Sequence, residues 1–162
     1  MPGIEIGIFR ETPFILQYLF VGQVYYWQTQ VTISPGNTYY QFKLTNTRLF
    51  HIIKQVYSTA TAGITIKIVE NPTVTDGTIQ ENVFCSQREL NVTPVMKIFN
   101  NPAAIAGGTT IENYVLIPND KTEQVVEELI LDRTKKYVLE ISNGTAGNID
   151  VDFNVVWYES SN

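Results

Sequence analysis

Residues 136–159, KYVLEISNGTAGNIDVDFNVVWYE, alternate apolar and polar side chains on both sides of a short Asn- and Gly-rich connection. Tyr137, Leu139 and Ile141 alternate with Lys136, Glu140 and Ser142. After Asn143-Gly144-Thr145-Ala146-Gly147-Asn148 the alternation resumes. Ile149, Val151, Phe153, Val155 and Trp157 take one side; Asp150, Asp152, Asn154 and Tyr158 take the other. Period two is the spacing of a strand with one packed face and one wet face, and a helix would scatter it. Asn and Gly tolerate the left-handed backbone of a tight reversal. The stretch therefore predicts an antiparallel β-hairpin.

The same pattern recurs upstream. Val24–Ser34 and Thr38–Thr45 read as a second hairpin around Ser34-Pro35-Gly36-Asn37, where Pro presets φ and Gly is free to go positive. Tyr25, Trp27, Thr29, Val31 and Ile33 share a face, Tyr40, Phe42 and Leu44 point inward, and Gln41 and Lys43 point outward. Leu49–Ser58 is apolar on both sides, as in a strand covered on both faces. Ile64, Ile66 and Ile68 alternate with Thr65 and Lys67. Short strands are expected at Ile79–Cys85 and Thr110–Ile117, with a Gly-rich loop at Ala103–Thr110. Lys121–Asp132 has apolar residues at helical spacing, but its β context favours a strand. An internal echo joins Lys67-Ile68-Val69-Glu70-Asn71-Pro72 to Lys97-Ile98-Phe99-Asn100-Asn101-Pro102, and Gly77 and Gly107 keep the same offset. It reads as one strand-plus-turn element used twice, in the two sheets of a sandwich. About nine or ten strands with regular turns and no long amphipathic helix predict an all-β, antiparallel, jelly-roll-like β-sandwich over residues 24–162.

Residues 1–23 stand apart. Ile4, Ile6 and Ile8 alternate, Phe9 follows, and beyond Pro13 come Phe14, Ile15, Leu16 and Tyr18. This apolar segment is either a first strand or an arm that packs on a neighbour, and these eight residues are the candidate inter-subunit or partner contacts.

Charge and chemistry narrow the function. Charged residues are 17% of the 162 and the net charge is −5, with no basic cluster. Nucleic acid is therefore not an expected partner. The longest apolar run, Phe14 to Val21, is too short for a membrane helix, and the start lacks a secretory pattern. Low charge suits a surface that meets other protein, because interface cores are depleted in charge. One cysteine, Cys85, and one histidine, His51, exclude the common zinc ligand sets and an intrachain disulfide. Both read as structural. Asp150 and Asp152, roughly 7 Å apart by strand rise, could form a carboxylate pair or join a calcium site, yet they read more simply as a wet face that resists edge pairing. Tyr26 and Tyr39, predicted to face outward, are candidate stacking rings for a glycan. No catalytic residue, cofactor or metal is expected.

Four features of the second half carry a family likeness. They are Ile66-Lys67-Ile68 running into Asn71-Pro72-Thr73-Val74-Thr75-Asp76-Gly77-Thr78; the second Lys97-Ile98 copy before a Gly-rich loop; Glu128-Leu129-Ile130-Leu131 followed by Lys136-Tyr137-Val138-Leu139-Glu140-Ile141-Ser142-Asn143; and the ending Asp152-Phe153-Asn154-Val155-Val156-Trp157-Tyr158-Glu159. In order and spacing they resemble the capsid decoration (cement) and head-associated structural proteins of tailed bacteriophages, over 64–159 and more loosely over 24–57. Where that family often carries an Asn/Arg-rich stretch, this chain reads Cys85-Ser86-Gln87-Arg88-Glu89-Leu90-Asn91, a weak version. The resemblance implies a non-enzymatic virion protein, made in the host cytoplasm and placed on the capsid exterior. It would be a homo-oligomer, a trimer by preference, whose partner is the shell of major capsid protein. The alternative expectation is a receptor- or glycan-binding module of a phage fibre or tail. A glycosidase built on Asp150 and Asp152 ranks last.

Overall fold

A computed structural model of the chain describes residues 24–44, 49–58, 63–80, 83–85, 93–116 and 124–160. The candidate arm, residues 1–23, lies outside them. Five strands, β1 (Val24–Ile33), β3 (Leu49–Ser58), β7 (Val83–Cys85), β11 (Gln124–Leu131) and β13 (Ile149–Ser160), form one sheet in the order β11-β3-β13-β1-β7. Six more, β2 (Gly36–Lys43), β4 (Ile64–Glu70), β6 (Thr78–Ile79), β8 (Lys97–Asn100), β10 (Thr109–Leu116) and β12 (Lys136–Asn143), form the second in the order β10-β4-β12-β2-β8-β6. β5 (Thr73–Thr75) and β9 (Ala103–Ala106) pair as a separate ribbon. All pairings are antiparallel. The protein is an all-β sandwich, with more strands than the nine or ten expected: the stretches around 73–78 and 103–110 hold short strands of their own, and the single strand expected at Ile79–Cys85 gives way to two, β6 and β7, in different sheets.

Pairing is nested. β1 pairs with β13, β2 with β12, β3 with β11 and β4 with β10. The chain runs out through four strands and returns alongside itself, and on both legs successive strands alternate between the sheets. Neither expected hairpin exists. β1 and β2 lie in different sheets, as do β12 and β13. The reversals fall where the sequence puts them, but each is an arch between layers. Gly36 has φ +110° at the first arch. At the second, the buried Asn143 amide donates to Ile33 O at 2.9 Å and Gly147 O at 2.8 Å, while its oxygen accepts from the Thr145 N–H and hydroxyl. One Asn thus fixes the second arch and ties it to the end of β1.

The inner faces match the alternation. Tyr25, Trp27 and Ile33, Tyr40 and Phe42, Ile64, Ile66 and Ile68, Tyr137, Leu139 and Ile141, and Val151, Phe153, Val155 and Trp157 are all buried in one cluster. Trp27, Phe153 and Tyr40 meet across the two layers, with ring centroids 5.0 to 6.4 Å apart, in the offset and tilted geometries aromatic rings prefer. Cys85 is buried in this cluster, as a small strand residue would be. The ambiguous segment is a strand. β11 carries a register shift between Val126 and Leu129, and an extra residue in a strand breaks period two locally, which is why its apolar residues imitate a helix.

The internal echo is real, but both copies belong to the same sheet. β4 and β8 each end in an Asn of left-handed backbone, Asn71 (φ 54°) and Asn101 (φ 47°), followed by a buried Pro. Residues 71–78 leave β4 and rejoin the sheet beside β8, so they cross over β12 and β2; residues 101–109 cross back to pair with β4. On the way β5 and β9 pair with each other. The two copies therefore exchange their return strands and together lay a strap across the outer face of the sheet. Gly107 is not the counterpart of Gly77. A Cβ on Gly77 would overlap the Asn100 carbonyl, and one on Gly108 would press on Glu70 O and Pro72 N, so Gly77 and Gly108 each seat one copy against the Asn-Pro kink of the other.

Candidate interaction surfaces

The strap decides which parts of the sandwich remain open. Beneath it, Val138 and Gln41 face outward from β12 and β2, directly opposite one another in register, and both are 0% exposed. Val69, Val74, Pro72 and Pro102 are buried as well, and the three valines stand outside the main core cluster. This small second core corrects the outward, wet placement of Gln41 read from alternation: a third layer covers a face that period two marks as solvent. The Gln41 amide donates to Asp76 Oδ1 at 3.0 Å, and Lys43 pairs with Asp76 Oδ2. The Lys43 hydrogen bond, helped by Gln41 and the nearby lysine charge, holds the Asp76 carboxyl below the usual range. Of the strap's exposed positions, Asp76 carries a charge and is paired with Lys43, while Thr73, Thr75, Ala103, Ala106 and Thr109 carry none.

Two ties hold the loops around this layer. The Glu159 carboxylate, 0% exposed at the end of β13, accepts from Val95 N at 2.9 and 3.0 Å, from Met96 N at 3.0 Å and from Trp157 Nε1 at 3.2 Å. It anchors the approach to β8. Its oxygens are committed to backbone N–H groups, so it serves as a structural acceptor. The Tyr137 hydroxyl accepts from Asp132 N at 2.8 Å and donates to Glu70 Oε2 at 3.1 Å, while Lys135 Nζ meets Glu70 Oε1 at 2.6 Å. This buckles the β11–β12 turn to the end of β4, as the tyrosine corner does in Greek-key proteins. Burial is the main reason the Tyr137 phenol is pushed well up.

Beside the strap, part of the outer face stays uncovered. Asn113, Lys67, Glu140 and Tyr39 lie in one row across β10, β4, β12 and β2, and Val115, Thr65, Ser142 and Asn37 in the next. Lys67 Nζ and the Ser142 hydroxyl both donate to Glu140 Oε1 at 3.2 Å, and the Asn37 amide donates to the Tyr39 hydroxyl at 3.0 Å. At the edge, β10 exposes Val115 (61%) and Ile111 (37%).

The candidate residues do not converge. Ile4, Ile6, Ile8, Phe9, Phe14, Ile15, Leu16 and Tyr18 lie outside the described residues. His51 stands beside Tyr158 in register, and its side chain is likewise outside the description. Tyr26 lies on the outer face of the β13 sheet and Tyr39 on the outer face of the β12 sheet, so they look away from opposite sides of the sandwich and form no common platform. Asp150 and Asp152 share a face with Thr32 and Gln30 opposite, and the Thr32 hydroxyl donates to Asp150 at 2.6 Å. That face is wet at this end. At the other end Val24 and Tyr158 are buried, although Tyr158 falls on the polar side of the alternation. Among the described residues no group of three or more His, Cys, Asp or Glu is placed to hold a metal ion. Gln41, Val138, Glu159 and Val115 carry no sequence signal of their own; the strap did, in the repeated Asn-Pro with its glycines.

No family model, curated protein or solved structure matches the chain.

Proposed function

We propose that this chain is a non-enzymatic virion structural protein that binds the outer surface of a phage capsid and stabilises or decorates it as an oligomer, a trimer by preference. The sequence resemblance suggests the class. The strand order supports a jelly-roll reading of the fold: the first described strand pairs with the last and β2, β3 and β4 each with the next one back, in two sheets of a folded-over ribbon. That architecture serves viral capsid and lectin domains, and since a fold hosts many functions the reading needs a surface. The observation that carries it is the strap, a layer over the sheet whose exposed side chains among the described residues are uncharged apart from the Asp76 held by Lys43, and depletion of charge marks an interface centre. Contact with a shell through many copies gains strength by avidity without a deep pocket in any one copy.

Co-sedimentation with undecorated phage shells tests it. The protein should pellet with shells, and Ala106→Glu, which sets a charge on the strap without touching the core, should reduce the bound fraction at least tenfold. A protein that stays in the supernatant at every concentration would sink the proposal.

A further inference from the structure

The open edge of the six-stranded sheet and the undescribed start of the chain have complementary needs. β10 ends the sheet, so one side of its backbone has no strand beside it among the described residues. Its register shift between Thr110 and Glu112 twists only the first part. Beyond it Asn113–Leu116 pairs with β4 in unbroken register, with neither Lys nor Pro to discourage another strand, which natural edges ordinarily supply. Val115 is the most exposed large apolar side chain described, and Ile111 is on the same strand.

Residues 1–23 have the opposite problem. Ile4, Ile6 and Ile8 have strand alternation, and β1 to β4 already pair with β13 to β10, so a further strand would have to add at a sheet edge. The chain enters the fold at Val24 on β1, next to the β7 edge and three strands from the β11 edge. In the other sheet β10 is likewise three strands from β2, the strand to which β1 connects. The segment therefore leaves from one side of the sandwich, and the open edge is on the other. Residues 9–23 span up to about 50 Å when extended, whereas a six-stranded sheet is about 24 Å from edge strand to edge strand. The reach extends past the chain's own body.

We infer that residues 4–8 of one copy add as a strand to the β10 edge of the next copy, placing isoleucines against Val115 and Ile111. The contact is head-to-tail, because donor and acceptor lie on opposite sides of each copy, and such contacts close into rings when the rotation allows. Backbone pairing supplies much of the affinity and the alternate side chains set the register, as in other strand-addition complexes. The inference shares self-association with the function proposed above and needs no shell.

Light scattering on the purified protein tests it. The full chain should have the mass of a small multimer. Deletion of residues 2–22 and the pair Ile111→Lys/Val115→Lys should each reduce it to the mass of one chain, with the far-ultraviolet β signal unchanged. A synthetic peptide of residues 1–23 should bind the deletion protein, and binding should weaken at least tenfold when the two lysines are also present. A full chain of single-chain mass, a multimer that survives either change, or a peptide that binds both deletion proteins equally would overturn the inference. Failure of shell co-sedimentation with the multimer intact would count against the proposed function alone.

Discussion

At the residue scale, neighbouring glycines separate backbone strain from close approach. Gly107 has φ +66° and open space around its Cα, so Gly107→Ala meets only the left-handed penalty of about 1–2 kcal/mol. A Cβ on Gly108 would lie 2.7 Å from Val69 Cγ1 and 2.8 Å from Glu70 O. Gly108→Ala should therefore cost at least twice as much in urea denaturation, and equal costs would show that the strap does not sit as described. Tyr40 gives a pH test. Burial lifts its phenol from about 10 to about 12. The folded value is the higher one, so the stability it contributes is whole below pH 10 and is lost as pH rises through 12. Stability should fall across that window by on the order of 3 kcal/mol, with the raised Tyr137 phenol acting in the same direction, and Tyr40→Phe should flatten the fall. Inner-face residues such as Trp27 and Phe153 were legible from alternation. Gln41 and Glu159 were not, because their burial depends on Asp76 and on the Val95–Met96 backbone, far along the chain.

At the element scale, the sequence marks where the chain turns but not which strand it then joins. Ser34-Pro35-Gly36-Asn37 and Asn143–Asn148 are turns in both the pattern and the fold. Period two records that one face is packed, and an arch between layers satisfies it as well as a hairpin does. The strap shows the converse: its two copies are visible in the sequence, yet their mutual pairing and the layer they form over Val138 are not. Val138→Ser should release that layer first. Hydrogen exchange should show the β5 and β9 amides losing protection while β1 and β13 keep theirs, since local openings follow local packing. Simultaneous loss in all four strands would mean that the strap is part of one cooperative unit. The surfaces were the least legible feature. The apolar start was visible as a candidate contact, while the exposed Val115 reads in sequence as an ordinary strand valine.

At the scale of the whole molecule, the nested ribbon makes nearly every strand depend on a distant one. Proteins dominated by non-local pairing fold in milliseconds to seconds, well behind helical bundles of similar size. Stopped-flow refolding should give a main phase in that range, and a microsecond phase carrying the full amplitude would contradict the topology. Pairing also fixes which cuts matter. β13 is the middle strand of its sheet, between β3 and β1, so a chain stopped at Asn148 has no five-stranded sheet to form. The same arrangement sets a timetable during synthesis. Val24 pairs with Tyr158, about 130 residues further on, and ribosomes add roughly 5–20 residues per second. Tyr25 and Trp27, which end fully buried against β13, therefore wait on the order of ten seconds after they are made before their covering strand exists. A holdase that shields aromatic strands during that interval should raise the soluble yield of this protein more than faster translation does.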